Sequence, residues 1–227
     1  RSRSGADKMS KGVQYLMKKN KIDVIMGFGK IVAKGKIEVS DKDGKNQTVE
    51  AKHIIIATGA RSRELPTMKI DGKKIIGYRE AMVLPEIPKS MVIVGSGAIG
   101  VEFAYFYNSM GTKVTIVEFL PRIVPVEDED ISKELEKSYK KNGITIMTSS
   151  EVTAVDTSGN GVKASVKSAT GETVLEADVL LSAVGVTANI EGIGLETLGI
   201  KIDKGRVMVD KYGQTNVPGI YSIGDCS

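Results

Sequence analysis

Apolar and polar residues recur with two periods along this chain, and the change from one to the other marks its elements. Met9, Val13, Leu16 and Met17 recur at helical spacing within a basic stretch. They predict a helix over residues 1–20 with one buried face. Ile22 to Met26 then reads as a strand. Lys30 to Ala33, Lys36 to Ser40 and Gln47 to Ala51 alternate as an antiparallel meander, the last two joined by the turn Asp41-Lys-Asp-Gly44. His53 to Ala57 is an apolar strand that runs into Thr58-Gly59.

Residues 61–90 hold few patterns, and Leu84-Pro-Glu-Ile-Pro88 reads as a linker. Met91 to Val94 is a short apolar run of the buried parallel kind. A glycine-rich turn, a helix from Ala98 to Met110 and a β-branched strand from Lys113 to Val117 follow. Ile131 to Asn142 is an amphipathic helix, with Asp130 as its expected cap, and Ile144 to Met147 a third parallel strand. Glu151 to Asp156, Val162 to Ser168 and Glu172 to Glu176 form a second meander, and Val179 to Val184 runs into Gly185. Arg206 to Val209 and Ile220 to Ile223 are the last strands, the latter running into Gly224-Asp225. Three meander strands and an apolar strand ending in glycine thus occur twice, at 30–59 and 151–185. The order of elements predicts an α/β protein built on Rossmann-like units.

The turn carries the sharpest chemistry. Gly95-Ser96-Gly97-Ala98-Ile99-Gly100 follows a strand and opens a helix, as a dinucleotide fingerprint requires. Gly95 allows the tight turn, Gly97 the approach of a pyrophosphate, and Gly100 close helix–strand packing. The helix N-terminus presents free N–H groups to phosphate. Glu118, at the end of the next strand, is placed to accept hydrogen bonds from a ribose 2′-hydroxyl and to repel a 2′-phosphate. This points to NAD rather than NADP, with Arg122 nearby as a counterweight.

Composition removes several alternatives. Tryptophan is absent and the net charge of +4 is spread over scattered lysines, which argues against a nucleic-acid surface. No apolar run is long enough to span a membrane. His53 is the only histidine, and no cluster offers a metal site. A single Cys226 excludes an internal disulfide framework, and with no secretory signal the cytoplasm is the expected compartment. The first residues, RSRSGADKM, lack an initiator methionine, and the last strand ends beside a ligand-type turn. The chain is therefore expected to be part of a longer polypeptide.

Taken together, Ile55-Ile-Ala-Thr-Gly59, Gly95 to Gly100 with Glu102 after it, Ala183-Val-Gly185 and Thr215-Asn-Val-Pro-Gly-Ile-Tyr-Ser-Ile-Gly-Asp225 resemble the flavin-dependent pyridine nucleotide–disulfide oxidoreductases. Val117-Glu-Phe-Leu-Pro-Arg122 and the helix ending Lys141-Asn-Gly143 are most similar to the dihydrolipoamide dehydrogenase branch. The resemblance implies an NAD-binding domain at 86–189, inserted in a partial FAD-binding domain at 1–85 and 190–227. It implies NAD contacts from Gly95, Ser96, Gly97, Ala98, Ile99, Gly100, Val101, Glu102, Glu118, Val152 and Gly185. It implies FAD contacts from Gly29, Thr58, Gly59 and Asp225.

Glu102 would face the flavin and pair with a lysine supplied by an N-terminal part, and Ile99 would face the flavin across the nicotinamide pocket. The implied partners of the intact enzyme are lipoyl-carrying proteins of 2-oxo acid dehydrogenase complexes and a second copy in a homodimer. The family's redox-active cysteine pair, N-terminal FAD fingerprint and C-terminal interface domain with its catalytic His–Glu pair have no counterpart in these residues. Cys226 matches neither redox cysteine and reads as a small buried residue. Ala188 stands in the segment after Gly185, where relatives often carry Arg or Pro. Another disulfide reductase, an NADH oxidase, or a non-catalytic NAD-binding module are the alternative readings.

Overall fold

The computed structural model describes residues 2–227. In chain order the elements are α1 (Ser2–Lys19), β1 (Phe28–Ala33), β2 (Lys36–Ser40), β3 (Asn46–Glu50), β4 (Ile54–Ile56), β5 (Ala60–Ser62), β6 (Ile75–Ile76) and α2 (Tyr78–Ala81). There follow β7 (Ser90–Val94), α3 (Ala98–Ser109), β8 (Lys113–Val117), α4 (Glu129–Lys141), β9 (Thr145–Met147), β10 (Ser150–Asp156), β11 (Val162–Ser168) and β12 (Gly171–Ala177). The last are β13 (Val179–Ser182), β14 (Val186–Ala188), β15 (Ile202–Asp203), β16 (Arg206–Val207) and β17 (Ile220–Ser222).

Contacts divide the chain into two compact units, one running to Gly59 and resuming at Ala188–Ser227, the other Ala60–Thr187. The boundaries expected at 85/86 and 189/190 are not where the contacts divide. Residues 60–85 supply β6, whose Ile75 and Ile76 pair in parallel with Leu180 and Leu181 of β13. Met68 is also buried in the second unit's core. Lys74 reinforces this attachment, its ammonium donating to the carbonyls of Thr157 and Gly159.

The second unit is built on a five-stranded sheet in the order β6-β13-β7-β8-β9, with every pairing parallel. Alternation along these strands sends neighbouring side chains to opposite faces. Met91, Ile93 and Leu181 pack with Val101, Ala104 and Tyr107 of α3. Val92, Val94 and Leu180 pack with Val152, Val162, Ala164 and Val166 of the β10-β11-β12 meander. A parallel sheet covered on both faces explains the unbroken apolar runs of its strands. α4 is capped by Asp128, whose side chain accepts from Asp130 N at 2.9 Å. The cap therefore lies two residues before the expected Asp130, because the helix begins at Glu129. Tyr139 of α4 donates to the Val101 carbonyl at 2.8 Å, tying α4 to α3.

The first unit repeats the theme in smaller form. A β1-β2-β3 antiparallel meander accompanies β4 and β17, which pair in parallel from Ile54 opposite Ile220 to Ile56 opposite Ser222. Ile31, Ile54, Ile56, Leu195, Val207, Ile220 and Cys226 form its core. Two expectations fail here. Helix α1 forms, but none of its residues is buried, and Met9 is 77% exposed. Ile22 to Met26 forms no strand and is exposed. Helical spacing sets a helix, and β-branched residues favour extension. Burial and strand assignment each need a facing partner, and here no residue of α1 is buried and none of residues 22–26 pairs in a strand.

Candidate dinucleotide site

The fingerprint glycines differ in why they must be glycine. Gly95 has φ +97°, and a Cβ there would also strike the Ala183 carbonyl. At Gly100 a Cβ would strike the carbonyl oxygen of Gly95. These two are required by the protein's own packing. Gly97 is not: its φ of −67° suits any residue, and an added Cβ would meet no protein atom within 4 Å. Gly97 is also the N-cap of α3, so no side chain caps the helix. The first-turn N–H groups have no carbonyl four residues back to bind. Open space beside uncapped N–H groups and a helix dipole is the geometry that admits a phosphate.

Glu118 lies at the carboxyl end of β8 and is 7% exposed. Its Oε2 accepts from Ser96 N at 2.8 Å and from Ser96 Oγ at 2.6 Å, and its Oε1 accepts from Leu120 N at 2.8 Å. A carboxylate offers about four acceptor positions, so the protein fills most of them and leaves room for one further donor. Arg122 is turned elsewhere, donating to the carbonyls of Pro125 at 3.0 Å and Glu127 at 3.3 Å. Ser96, expected as an NAD contact, here binds Glu118 through its side chain as well as its backbone, a partnership not foreseen from the sequence. The only signal in the sequence was a hydroxyl residue between two glycines.

The other expected NAD contacts are distributed unevenly. Ala98 is exposed and Ile99 half-buried, while Val101 is buried in the core with Ile93. Glu102 is exposed on α3 and forms no salt bridge among the described residues. Burial raises the pKa of Tyr139, and the charge of Glu102 adds to that shift. Val152 sits at a register shift of β10 with its side chain in the core. Gly185 has φ +104° and its carbonyl accepts from Arg63 N at 3.0 Å. Ser182, at the carboxyl end of β13, is 2% exposed and its hydroxyl has no partner among the described residues.

In the first unit, β4 and β17 end side by side, and the pairing carries on where Ile223 N donates to Ile56 O at 3.0 Å. Thr58-Gly59 and Gly224-Asp225 follow directly, with Thr58 and Asp225 exposed. Gly59 and Gly224 have φ of +67° and +74°, backbone that glycine adopts without penalty. Gly29 lies on β1, opposite Val39, in a different sheet. Cys226 is fully buried, its sulfur 3.3 Å from Ser222 Oγ and 3.2 Å from Ile223 O. Burial pushes its thiol pKa up. Hydrogen bonds involving Ser222, Thr58 and the Gly59 backbone outweigh this, and the net shift is downward.

A parallel sheet with a glycine turn, an uncapped helix N-terminus and an acidic residue at the next strand end is the architecture of a Rossmann-like α/β protein. Comparison with known proteins narrows the class. Residues 2–227 match the model of the pyridine nucleotide-disulphide oxidoreductase family, and the chain belongs to that family. The chain is 48% identical over 240 residues to a dihydrolipoyl dehydrogenase of Rhizobium etli, covering 99% of this chain and 50% of that protein. The crystal structure of LpdA from Mycobacterium tuberculosis superposes with a TM-score of 0.90 at 30% identity, over 99% of this chain and 50% of that one. The HOCl-induced flavoprotein disulfide reductase RclA of Escherichia coli gives a TM-score of 0.82 at 28% identity, over 97% of this chain and 51% of that one. The chain thus spans about half the length of these relatives. No helix among the described residues is long and apolar enough to cross a membrane.

Proposed function

We propose that the Ala60–Thr187 unit is an NAD platform, and that the unit formed by residues up to Gly59 and from Ala188 onward contributes to an FAD site. The roles expected for 86–189 and for 1–85 with 190–227 pass to these two units. The observation that carries the NAD reading is Gly97, a glycine that neither backbone conformation nor internal packing demands. Its missing Cβ leaves room for a pyrophosphate, which the N–H groups at the start of α3 would hold. Glu118 would take a ribose hydroxyl on its remaining acceptor position. Its charge, with Arg122 turned away, favours NAD over NADP. Thr58, Gly59 and Asp225 would hold part of the flavin nucleotide, with Asp225 accepting from hydroxyls of its ribityl chain and Gly29 adding a backbone contact.

We further propose that the protein to which this chain corresponds oxidises dihydrolipoamide and reduces NAD, as the names of the relatives indicate. Its partners would be lipoyl-carrying proteins of 2-oxo acid dehydrogenase complexes, its assembly a homodimer and its compartment the cytoplasm. The flavin, when bound, supplies hydride exchange with the nicotinamide. The exposed carboxylate of Glu102 would supply a negative charge and a partner for a lysine. Thiol–disulfide exchange with the substrate needs a cysteine pair, and this chain has one cysteine. It is therefore expected to bind nucleotide without turning over dihydrolipoamide. Titration of the whole chain with NADH and NADPH, followed by nicotinamide fluorescence, tests the platform. Tighter binding of NADH supports it, and binding of neither nucleotide, or of both equally, refutes it.

A further inference from the structure

We propose that Ser96 is a specificity-determining positioning residue, which acts by fixing the Glu118 carboxylate before any cofactor arrives. The proposal deepens the NAD reading and rests on it. A glutamate on a strand end has three rotatable bonds. Left free, it would swing to meet a ribose hydroxyl but would equally swing away from a 2′-phosphate, and its repulsion would be weak. Here it cannot swing. Ser96 N and Ser96 Oγ hold one oxygen and Leu120 N the other.

Ser96 is itself immobilised. It is 0% exposed, and its carbonyl accepts from Val124 N at 2.9 Å. Val124 adopts φ +39°, a conformation that β-branched residues rarely tolerate, and its side chain is buried. A strained residue held by its surroundings marks a segment whose shape is enforced. The strand end, the glycine turn and the loop after β8 are therefore fastened together at one serine. The hydroxyl does what no other atom of the turn can. It is a second donor, at 2.6 Å, to the oxygen that the backbone N–H already holds. Hydrogen bonds to a carboxylate are about twice as strong as those between neutral groups, and the hydroxyl adds a third such bond to the two that the Ser96 and Leu120 backbone N–H groups make.

The test compares NADH and NADPH affinities in the whole chain for wild type, Ser96→Cys, Ser96→Ala, Glu118→Gln and the Ser96→Ala/Glu118→Gln double variant, with thermal unfolding as a fold check. Ser96→Ala is expected to weaken NADH binding while NADPH binding holds or improves. The preference for NADH should shrink about tenfold, the factor expected for losing one charge-assisted hydrogen bond. Ser96→Cys, a weaker donor, should fall between serine and alanine. The double variant should match Glu118→Gln in preference, because the serine acts only through the charge. Equal losses for both nucleotides in Ser96→Ala would show a merely structural role and overturn the proposal. An unchanged preference, or additive changes in the double variant, would do the same. Wild type that binds neither nucleotide overturns the NAD reading itself. Wild type that prefers NADH while Ser96→Ala keeps that preference overturns the proposal alone.

Discussion

Gly97→Ala separates the two reasons for a glycine in the fingerprint. The substitution adds one methyl group where no protein atom lies within 4 Å and where φ is −67°. Alanine is a poorer N-cap than glycine, at a cost of about 0.5–1 kcal/mol. Reduced freedom of the unfolded chain offsets this by about 0.4–1 kcal/mol. The two nearly cancel. For a chain of this size about 1 kcal/mol moves the melting temperature by about 2–4 °C, so the variant should melt within about 2 °C of wild type. The same methyl would occupy the approach of a phosphate oxygen to the first turn of α3. Losing one charge-assisted contact there costs about 1.5–3 kcal/mol, or roughly 10- to 150-fold in NADH affinity.

Gly100→Ala is the control. Its Cβ would strike the Gly95 carbonyl, so stability and binding should fall together. Calorimetric titration with NADH, beside thermal unfolding by circular dichroism, reads both quantities. A Gly97→Ala chain that binds NADH as wild type does would show that the open space is not the pyrophosphate's, and the NAD assignment of this turn would fail.

Two further outcomes are expected. Asp71 feels burial, which raises its pKa, but three backbone N–H donors, from Lys73, Lys74 and Ile75, hold it below its ordinary value. A carboxylate with a depressed folded pKa stabilises above its unfolded pKa and loses that contribution as pH falls through the folded value. The stability gap between wild type and Asp71→Asn should therefore be full near neutral pH and close as pH drops below about 4. Denaturant melts at several pH values check this, and a gap that widens on acidification would refute it. Cys226 has a lowered thiol pKa but no exposed surface, so a thiol reagent such as DTNB should leave it unmodified in the native chain and react once denaturant is added. Fast reaction under native conditions would contradict its burial.

Much of the fold was legible along the chain because its signals are local. Apolar strands between turn residues, a glycine pattern between strand and helix, and two alternating meanders each lie within a few tens of residues. Periods of 2 and 3.6 read them directly. The fingerprint and Glu118 could be placed at one strand–turn–helix corner for the same reason, and the flanking glycines at Gly59 and Gly224 at strand ends.

What depended on long-range partners was decided only in three dimensions. Ile75 and Ile76 are too short a run to read as a strand, and they become one by pairing with Leu180 and Leu181, more than a hundred positions away. That pairing moved residues 60–85 into the second unit. The spacing of Met9, Val13 and Leu16 specifies a helix but holds no information on whether a surface faces it, and the β-branched run at 22–26 becomes a strand only beside another strand. Ser96 shows the limit most clearly. In sequence it stands between two glycines as one expected NAD contact, twenty-two positions from Glu118 and with no sign of a link to it. Folding brings its two donors onto one carboxylate oxygen, because parallel pairing of β7 with β8 aligns Val94 with Val117 and so sets the residues after them side by side.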